Sequence, residues 1–171
     1  MRYSICLAAL AASIVAATPA AAQQATATAD AKGIVLQSLT LQWVSDLDFG
    51  TVAPDVLNPG TVSINADTGA RTTGGSVVAL PGAFSRARFD GRGTPSNTVV
   101  LSLAQPAGGV ICNAGCVDTV GVVLSLDSGG TTRIIPAGGV YSVYVGGDFS
   151  IAANQTSGLY SAQFDLTADY Q

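Results

Sequence analysis

The strongest pattern along the chain is a strict alternation of apolar and polar residues at its C-terminal end. From Tyr160 to Tyr170 every even position is apolar or aromatic, and every odd position up to Gln171 is polar. Side chains on a β-strand alternate between the two faces of the sheet. The pattern therefore predicts one unbroken internal strand over residues 158–171. Its apolar face has to be buried, either in this chain's own sheet or in that of a partner.

Between residue 39 and this stretch, runs of apolar and β-branched residues alternate with turn-forming residues. Gly-Gly pairs beginning at positions 74, 108, 129, 138 and 146 lie between the runs and are interpreted as turns. Many short strands separated by turns predict an all-β fold, an antiparallel immunoglobulin-like β-sandwich. Trp43, in the first run, is expected in the core. Strands are predicted at 39–43, 61–65, 76–80, 83–90, 98–103, 119–127, 131–135, 140–145 and 149–153.

The first residues have the composition of a secretory signal. Arg2 precedes an apolar run over 5–17, and Ala20-Ala21-Ala22 offers a cleavage site. The run is too short to span a bilayer, and no second long apolar run follows it. We expect residues 1–22 to be removed on export, and the remaining 149 residues to have no membrane span.

Residues 23–36 are predicted to be an N-terminal extension that precedes a single sandwich domain at 37–171. Its small apolar residues alternate with polar ones, so it is either a disordered leader or a donor strand that completes another copy's sheet. The register of such a donor is open. Ala29, Ala31 and Val35 would carry it on the odd face, and Ile34 and Leu36 on the even face.

Composition argues against several kinds of function. The chain has no His, and its net charge is −4, or −5 once Arg2 is removed with the signal. Nucleic-acid binding needs clustered Lys and Arg, which this acidic chain lacks. Without His, a nucleophile elbow or a phosphate loop, we expect no enzyme activity and no cofactor.

Two clusters of charged residues offer weak alternatives. Asp46 and Asp48 share a strand face, so they are either a weak calcium site or two solvated acids. Arg86, Arg88 and Arg92 are either an anion-binding cluster or a solvated edge that balances charge. We favour the solvated interpretation for both, and no metal site is expected.

Two cysteines, Cys112 and Cys116, remain after the signal is removed. In an oxidising compartment a pair this close is expected to form a disulfide at a hairpin tip, with Asn113 and Gly115 supplying the turn. Two thiols without His cannot complete a zinc site. Closing so short a loop removes unfolded-state entropy of only about 2 kcal/mol, so the bond is predicted to hold a loop in place and not the whole fold.

The C-terminal stretch resembles that of bacterial pilus subunits assembled by the chaperone–usher pathway. Gly158 is fourteenth from the end and Tyr170 is penultimate, with Tyr160, Phe164 and Leu166 between them. The resemblance implies that these five residues contact a periplasmic chaperone and then line a groove that receives a neighbour's strand.

Shorter motifs resemble a family of secreted Gram-negative proteins known as DUF4402. They are Leu47-Asp48-Phe49-Gly50, Asp67-Thr68-Gly69-Ala70-Arg71, Val145-Gly146-Gly147, and Asn154-Gln155 before Gly158-Leu159-Tyr160-Ser161. That family looks like a relative of the Mat/Ecp-type and spore-coat-U-like fimbrial subunits. One departure is that the Cys112–Cys116 hairpin does not match the disulfide between early strands in many pilins.

Two classes of function follow. The resemblance implies a non-catalytic subunit of a surface fimbria that polymerises by donor-strand exchange. Its partners would be copies of itself or related subunits, a periplasmic chaperone and an outer-membrane usher, and it would pass through the periplasm to the cell surface. The alternative is a free-standing secreted or periplasmic binding module, with a loop such as 85–95 contacting a glycan or an envelope protein.

Overall fold

The computed structural model describes residues 24–171, and this part of the chain is all-β, as the strand pattern predicts. It contains no α-helix among those residues, only two single 3-10 turns at Ala107–Gly109 and Ala114–Cys116. The strands are β1 (Thr40–Ser45), β2 (Val52–Ala53), β3 (Gly60–Ile64), β4 (Arg71–Gly75), β5 (Val78–Ala79), β6 (Ala87–Arg92), β7 (Thr98–Leu103), β8 (Val110–Cys112), β9 (Thr119–Leu126), β10 (Thr132–Ile134), β11 (Val140–Ile151) and β12 (Leu166–Tyr170).

Antiparallel pairing groups the strands into a main sheet and a smaller one, which form a β-sandwich. The main sheet has seven strands in the order β1-β6-β11-β3-β4, with β9 also paired to β11 and β8 paired to β9. The smaller sheet has the order β10-β7-β12, and β2 and β5 form a separate two-stranded ribbon. Strand β11 organises the main sheet because it pairs with β6, β3 and β9 along its length.

Two apolar cores lie along the inner face of the main sheet. The first is covered by the small sheet and contains Val99 and Leu101 of β7 against Tyr141 and Val143 of β11. The second is built on β9 and the far half of β11, with Val120, Val122, Leu124, Phe149 and Ile151 among its buried residues. Irregular segments, and not a regular sheet, pack over this second core, and the candidate site lies there.

The turn predicted at Gly146-Gly147 is wrong, because the two flanking runs form the single strand β11. These glycines are needed for close approach of neighbouring backbone. A Cβ on Gly146 would overlap the Ile64 carbonyl oxygen, and one on Gly147 would lie 2.5 Å from the carbonyl oxygen of Val123. Glycine in a strand interior often marks such an approach.

The long C-terminal strand is shorter than predicted and is not internal. Regular pairing is confined to β12, which bonds only to β7 and so forms an edge of the small sheet. Just before it, the Ala104 amide still bonds to the Asp165 carbonyl, but Ser161 pairs with Cys112 of the main sheet. The segment therefore crosses from one sheet to the other, and no single neighbour runs beside it for long enough to make one strand.

Trp43 is not in the core, since 63% of its surface is exposed. It lies on β1, at the edge of the main sheet, and its indole N–H donates to Asp46 Oδ1 at 3.0 Å. An edge position gives the ring a neighbouring strand on one side only, which the alternation of Leu39, Leu41 and Trp43 does not reveal.

The described chain divides into two units, one that ends at Ile34 and one over Val35–Gln171. Within the first unit, residues 24–34 form no strand and are exposed. The predicted signal peptide over 1–22 lies outside the described residues. In the part of the chain that the structure describes, no helix is long and apolar enough to cross a membrane.

Candidate functional site

An open apolar groove of about 860 Å³ lies over the second core. One wall is the chain from Asp46 to Pro54, which follows β1 and contains β2. The other wall combines Pro106 with the C-terminal segment from Gln155 to Phe164. The floor consists of inward-facing side chains of β8, β9 and β11, namely Ile111, Val120, Val122, Leu124, Phe149 and Ile151.

The floor is apolar because of the period-two pattern of the strands that form it. Val120, Val122 and Leu124 alternate with more exposed residues along β9, so their side chains share one face. At one wall Phe49 stacks on Phe149 with ring centroids 5.2 Å apart. The small sheet does not cover this region, which leaves an apolar channel between two irregular walls.

The predicted C-terminal interaction residues separate into two groups. Gly158, Tyr160 and Phe164 line the groove. Leu166 and Tyr170 lie outside its lining and pack against the other core, beneath the small sheet. The apolar face of the C-terminal segment is therefore divided between the groove and the other core, and it does not form one continuous binding surface.

Within the groove wall, Phe164 and Tyr160 are held by different contacts. Phe164 meets Phe89 edge-on, with centroids 6.1 Å apart. The Tyr160 hydroxyl donates to the Thr156 carbonyl at 2.7 Å and accepts from Gln155 Nε2 at 2.9 Å. Gln155 and Thr156 were not predicted as site residues, since only the folded segment brings them back onto Tyr160.

Tyr170 acts as a clamp at the point where the N-terminal segment joins the domain. Its hydroxyl accepts from the Thr94 amide at 2.7 Å and donates to the Gln37 carbonyl at 2.9 Å. The Gln37 amide in turn donates to Thr94 Oγ1 at 2.7 Å. The penultimate tyrosine thus ties three separate parts of the chain together.

The candidate donor residues lie in a segment that forms no regular secondary structure. Ala29, Ala31 and Val35 are exposed, as are Ile34 and Leu36 of the alternative register. The side chain of Ile34 is 91% exposed and that of Val35 is 96% exposed. The structure thus leaves both donor registers open.

The Cys112–Cys116 disulfide is present, as predicted, with Cα atoms 4.9 Å apart. It closes the tight turn between β8 and β9. Within that turn the Cys116 amide bonds to the Asn113 carbonyl, and Asn113 Oδ1 accepts from the Asp118 amide. Since Cys112 also pairs with Ser161, the bonded turn supports the end of the groove wall.

The acidic pair has no shared ligand geometry. Asp46 Oδ1 accepts from the Trp43 indole, whereas Asp48 Oδ1 accepts from the Gly50 amide at 2.7 Å. Among residues 24–171, no group of three or more His, Cys, Asp or Glu is placed to hold a metal.

Two of the three clustered arginines, Arg86 and Arg88, are satisfied by contacts within the domain. Arg88 makes a two-pronged ion pair with Asp90, both bonds at 2.9 Å, and Ser142 Oγ also donates to that carboxylate. The hydrogen bonds from Arg88, and to a smaller extent that from Ser142, hold the pKa of Asp90 below its ordinary value. Arg86 bonds to the Ala66 and Asp67 carbonyls and lies over a tyrosine ring.

The range 85–95, which was expected to be a binding loop, has a different structure. Most of that range is strand β6, which lies between β1 and β11 in the main sheet. Residues 87–92 of that range are therefore strand and not loop.

Comparison with known proteins places the chain in one family and no further. No curated protein and no solved structure matches it. One family model, described as a domain of unknown function (DUF4402), matches residues 39–170, which span the sandwich from β1 to the last residue of β12. The chain belongs to the DUF4402 family.

Proposed function

We propose that this chain is a non-catalytic structural subunit that polymerises by strand exchange, in which the N-terminal segment of one copy fills the groove of the next. The observation that carries the proposal is the open apolar groove over the second core. There the main sheet is covered by irregular segments and not by a strand of the small sheet. Burying apolar surface stabilises a protein by roughly 25 cal/mol per Å², so a groove of this kind favours an occupant.

The groove suits an extended peptide because its C-terminal wall, which ends at Phe164, leads directly into the free edge of β12 at Leu166. Strand β12 bonds to β7 on one side only, and the crossing segment before it is paired only at Asp165 and Ser161. An added strand obtains main-chain hydrogen bonds from such an edge and specificity from alternate side chains. Left uncovered, the same edge is an aggregation hazard, which accounts for a periplasmic chaperone during export.

The N-terminal segment supplies an occupant of suitable composition. Residues 24–36 form no regular secondary structure and are exposed, and the side chains of Ile34 and Val35 are almost fully exposed. If extended, thirteen residues reach at most roughly 45 Å, more than twice the length of the usual five- or six-residue strand. The C-terminal resemblance to pilus subunits supports an outer-membrane usher as a further partner and the cell surface as the destination.

The test compares the chain that begins at Gln23 with one that begins at Gln37, with a synthetic peptide of residues 24–36 added back. We expect the longer chain to form oligomers by light scattering. The shorter chain should melt at a higher temperature when the peptide is added, because a ligand that binds only the folded state stabilises it. Peptides carrying Ile34→Asp or Val35→Asp distinguish the two registers, since only the residue that faces the groove should be sensitive.

The groove itself is tested by Phe164→Ala, with Gln163→Ala as the matched control on the exposed face. Phe164→Ala should weaken peptide binding, whereas the control should leave it unchanged. If the shorter chain is fully stable alone and the peptide changes neither its melting temperature nor its mobility, strand exchange is refuted. A self-contained secreted module would then be the better account.

A further inference from the structure

The C-terminal wall of the groove is attached to the domain through the turn that the disulfide closes. Residues 155–164 are mostly exposed. In the described chain they make one backbone-to-backbone hydrogen bond, from the Ser161 amide to the Cys112 carbonyl oxygen at 3.0 Å. Gly158 lies against the same turn, since a Cβ on it would be 3.7 Å from the Asn113 Cβ. The main chain of the wall therefore takes its position from the turn between β8 and β9.

The turn itself contains a residue in an unfavourable backbone conformation. Cys116 has a φ of 52°, in the left-handed region that residues with a Cβ rarely adopt. Such a conformation persists only where the surroundings hold it. Here it is held by the covalent bond to Cys112 and by the hydrogen bond from the Cys116 amide to the Asn113 carbonyl at 2.9 Å. Opening the disulfide removes the stronger of these two constraints, so the turn is free to relax.

The disulfide is open to attack from solvent at one end, because Cys116 is exposed whereas Cys112 is half-buried. A dithiol reduces such a bond in two exchange steps. One thiolate of the dithiol attacks Cys116 Sγ, which forms a mixed disulfide there and releases the Cys112 thiolate. The second thiolate then attacks the dithiol's own bonded sulfur and releases Cys116. The dithiol is oxidised to a disulfide, and its two electrons and two protons end on the two cysteine thiols.

We propose that the Cys112–Cys116 disulfide is a redox control of the groove. The oxidised pair holds the C-terminal wall in position for an added strand, and reduction by a dithiol releases that wall. A preformed groove binds an extended peptide at a lower ordering cost than a loose one. A bond that closes so short a loop does little for the fold as a whole, and a local role in the wall agrees with that. The effect on binding rests on the proposed strand exchange, whereas the position of the wall is measured without it.

The first measurement is hydrogen exchange on the chain that begins at Gln23, at a concentration where it is monomeric, with and without dithiothreitol. Reduction should speed exchange of the Ser161 amide about tenfold, as expected for the loss of one net hydrogen bond. The Ala104 amide, which bonds to Asp165 just beyond the wall, should keep its protection and so show that the effect is local. The matched control is the variant with Cys112→Ser and Cys116→Ser, whose Ser161 amide should exchange at the fast rate with or without dithiothreitol.

The second measurement is light scattering of the same chain over a range of concentrations. The concentration at which half of the chain is oligomeric should rise about tenfold on reduction, and dithiothreitol should not change it in the double variant. Unchanged exchange at Ser161, or faster exchange with an unchanged midpoint, would overturn the inference. If the oxidised chain never oligomerises, strand exchange fails and the effect on assembly fails with it. Exchange at Ser161 in the monomer then still decides whether the disulfide holds the wall, so the two failures are distinguishable.

Discussion

Replacing Tyr170 by Phe removes one oxygen atom from the clamp that joins the root of the N-terminal segment to the domain. The ring can remain packed against the core beneath the small sheet. Two hydrogen bonds are lost, from the Thr94 amide and to the Gln37 carbonyl. Each is worth a net 0.5–1.5 kcal/mol, and Thr94 is left with an unpaired donor. We expect a loss of about 2 kcal/mol in the free energy of unfolding.

Tyr141 provides a matched control, because it allows the same chemical change at a hydroxyl without a partner. Its side chain is 6% exposed, and its hydroxyl is the one buried side-chain polar atom in the described residues that makes no hydrogen bond. Burial raises the pKa of this phenol, so the group stays neutral. Tyr141→Phe should be neutral or stabilising by up to about 1 kcal/mol, since it removes a desolvated and unsatisfied group.

The assay is urea and thermal unfolding of both variants and the parent, together with hydrogen exchange at residue 37. Tyr170→Phe should lower the melting temperature by roughly 4–8 °C for a domain of this size and should speed exchange of the Gln37 amide. Tyr141→Phe should do neither. Equal effects of the two substitutions, or no faster exchange at Gln37, would refute the clamp.

Three further predictions concern the rest of the domain. Replacing Cys112 and Cys116 by Ser should lower stability by only about 2 kcal/mol, and a large fall in melting temperature would contradict the local role of the disulfide. Asp127→Asn should cost about 3 kcal/mol in urea unfolding, because it leaves Arg133 buried without its counter-charge; the side chains are 9% and 12% exposed. The lowered pKa of Asp90 means that its contribution to stability is present above about pH 3.8 and is lost as the pH falls through the folded-state pKa. Acid titration of Asp90→Asn against the parent checks that sign, and identical acid profiles would count against it.

The sequence pattern alone was enough to predict a strand wherever its pairing follows directly from the alternation of side chains. The run 98–103 is strand β7 with those bounds, and β9 matches the predicted run except for its last residue. The disulfide was also predictable, because a turn at Asn113 and Gly115 brings cysteines four residues apart within bonding distance. The alternation at the C-terminal end correctly separated half-buried from exposed positions over β12.

The remaining features depend on contacts between residues far apart in the chain, and so only the folded domain decided them. Gly146 resembled a turn residue, but the neighbouring strand at Ile64 requires glycine there. The groove is a space between segments that lie more than fifty residues apart in the sequence. The alternation of side chains along one strand does not show whether another strand covers it. Tyr170 is a single polar group, and only the fold brings its partners Gln37 and Thr94 within hydrogen-bond distance. Alternation determines which face a side chain is on, whereas the tertiary arrangement determines what covers that face.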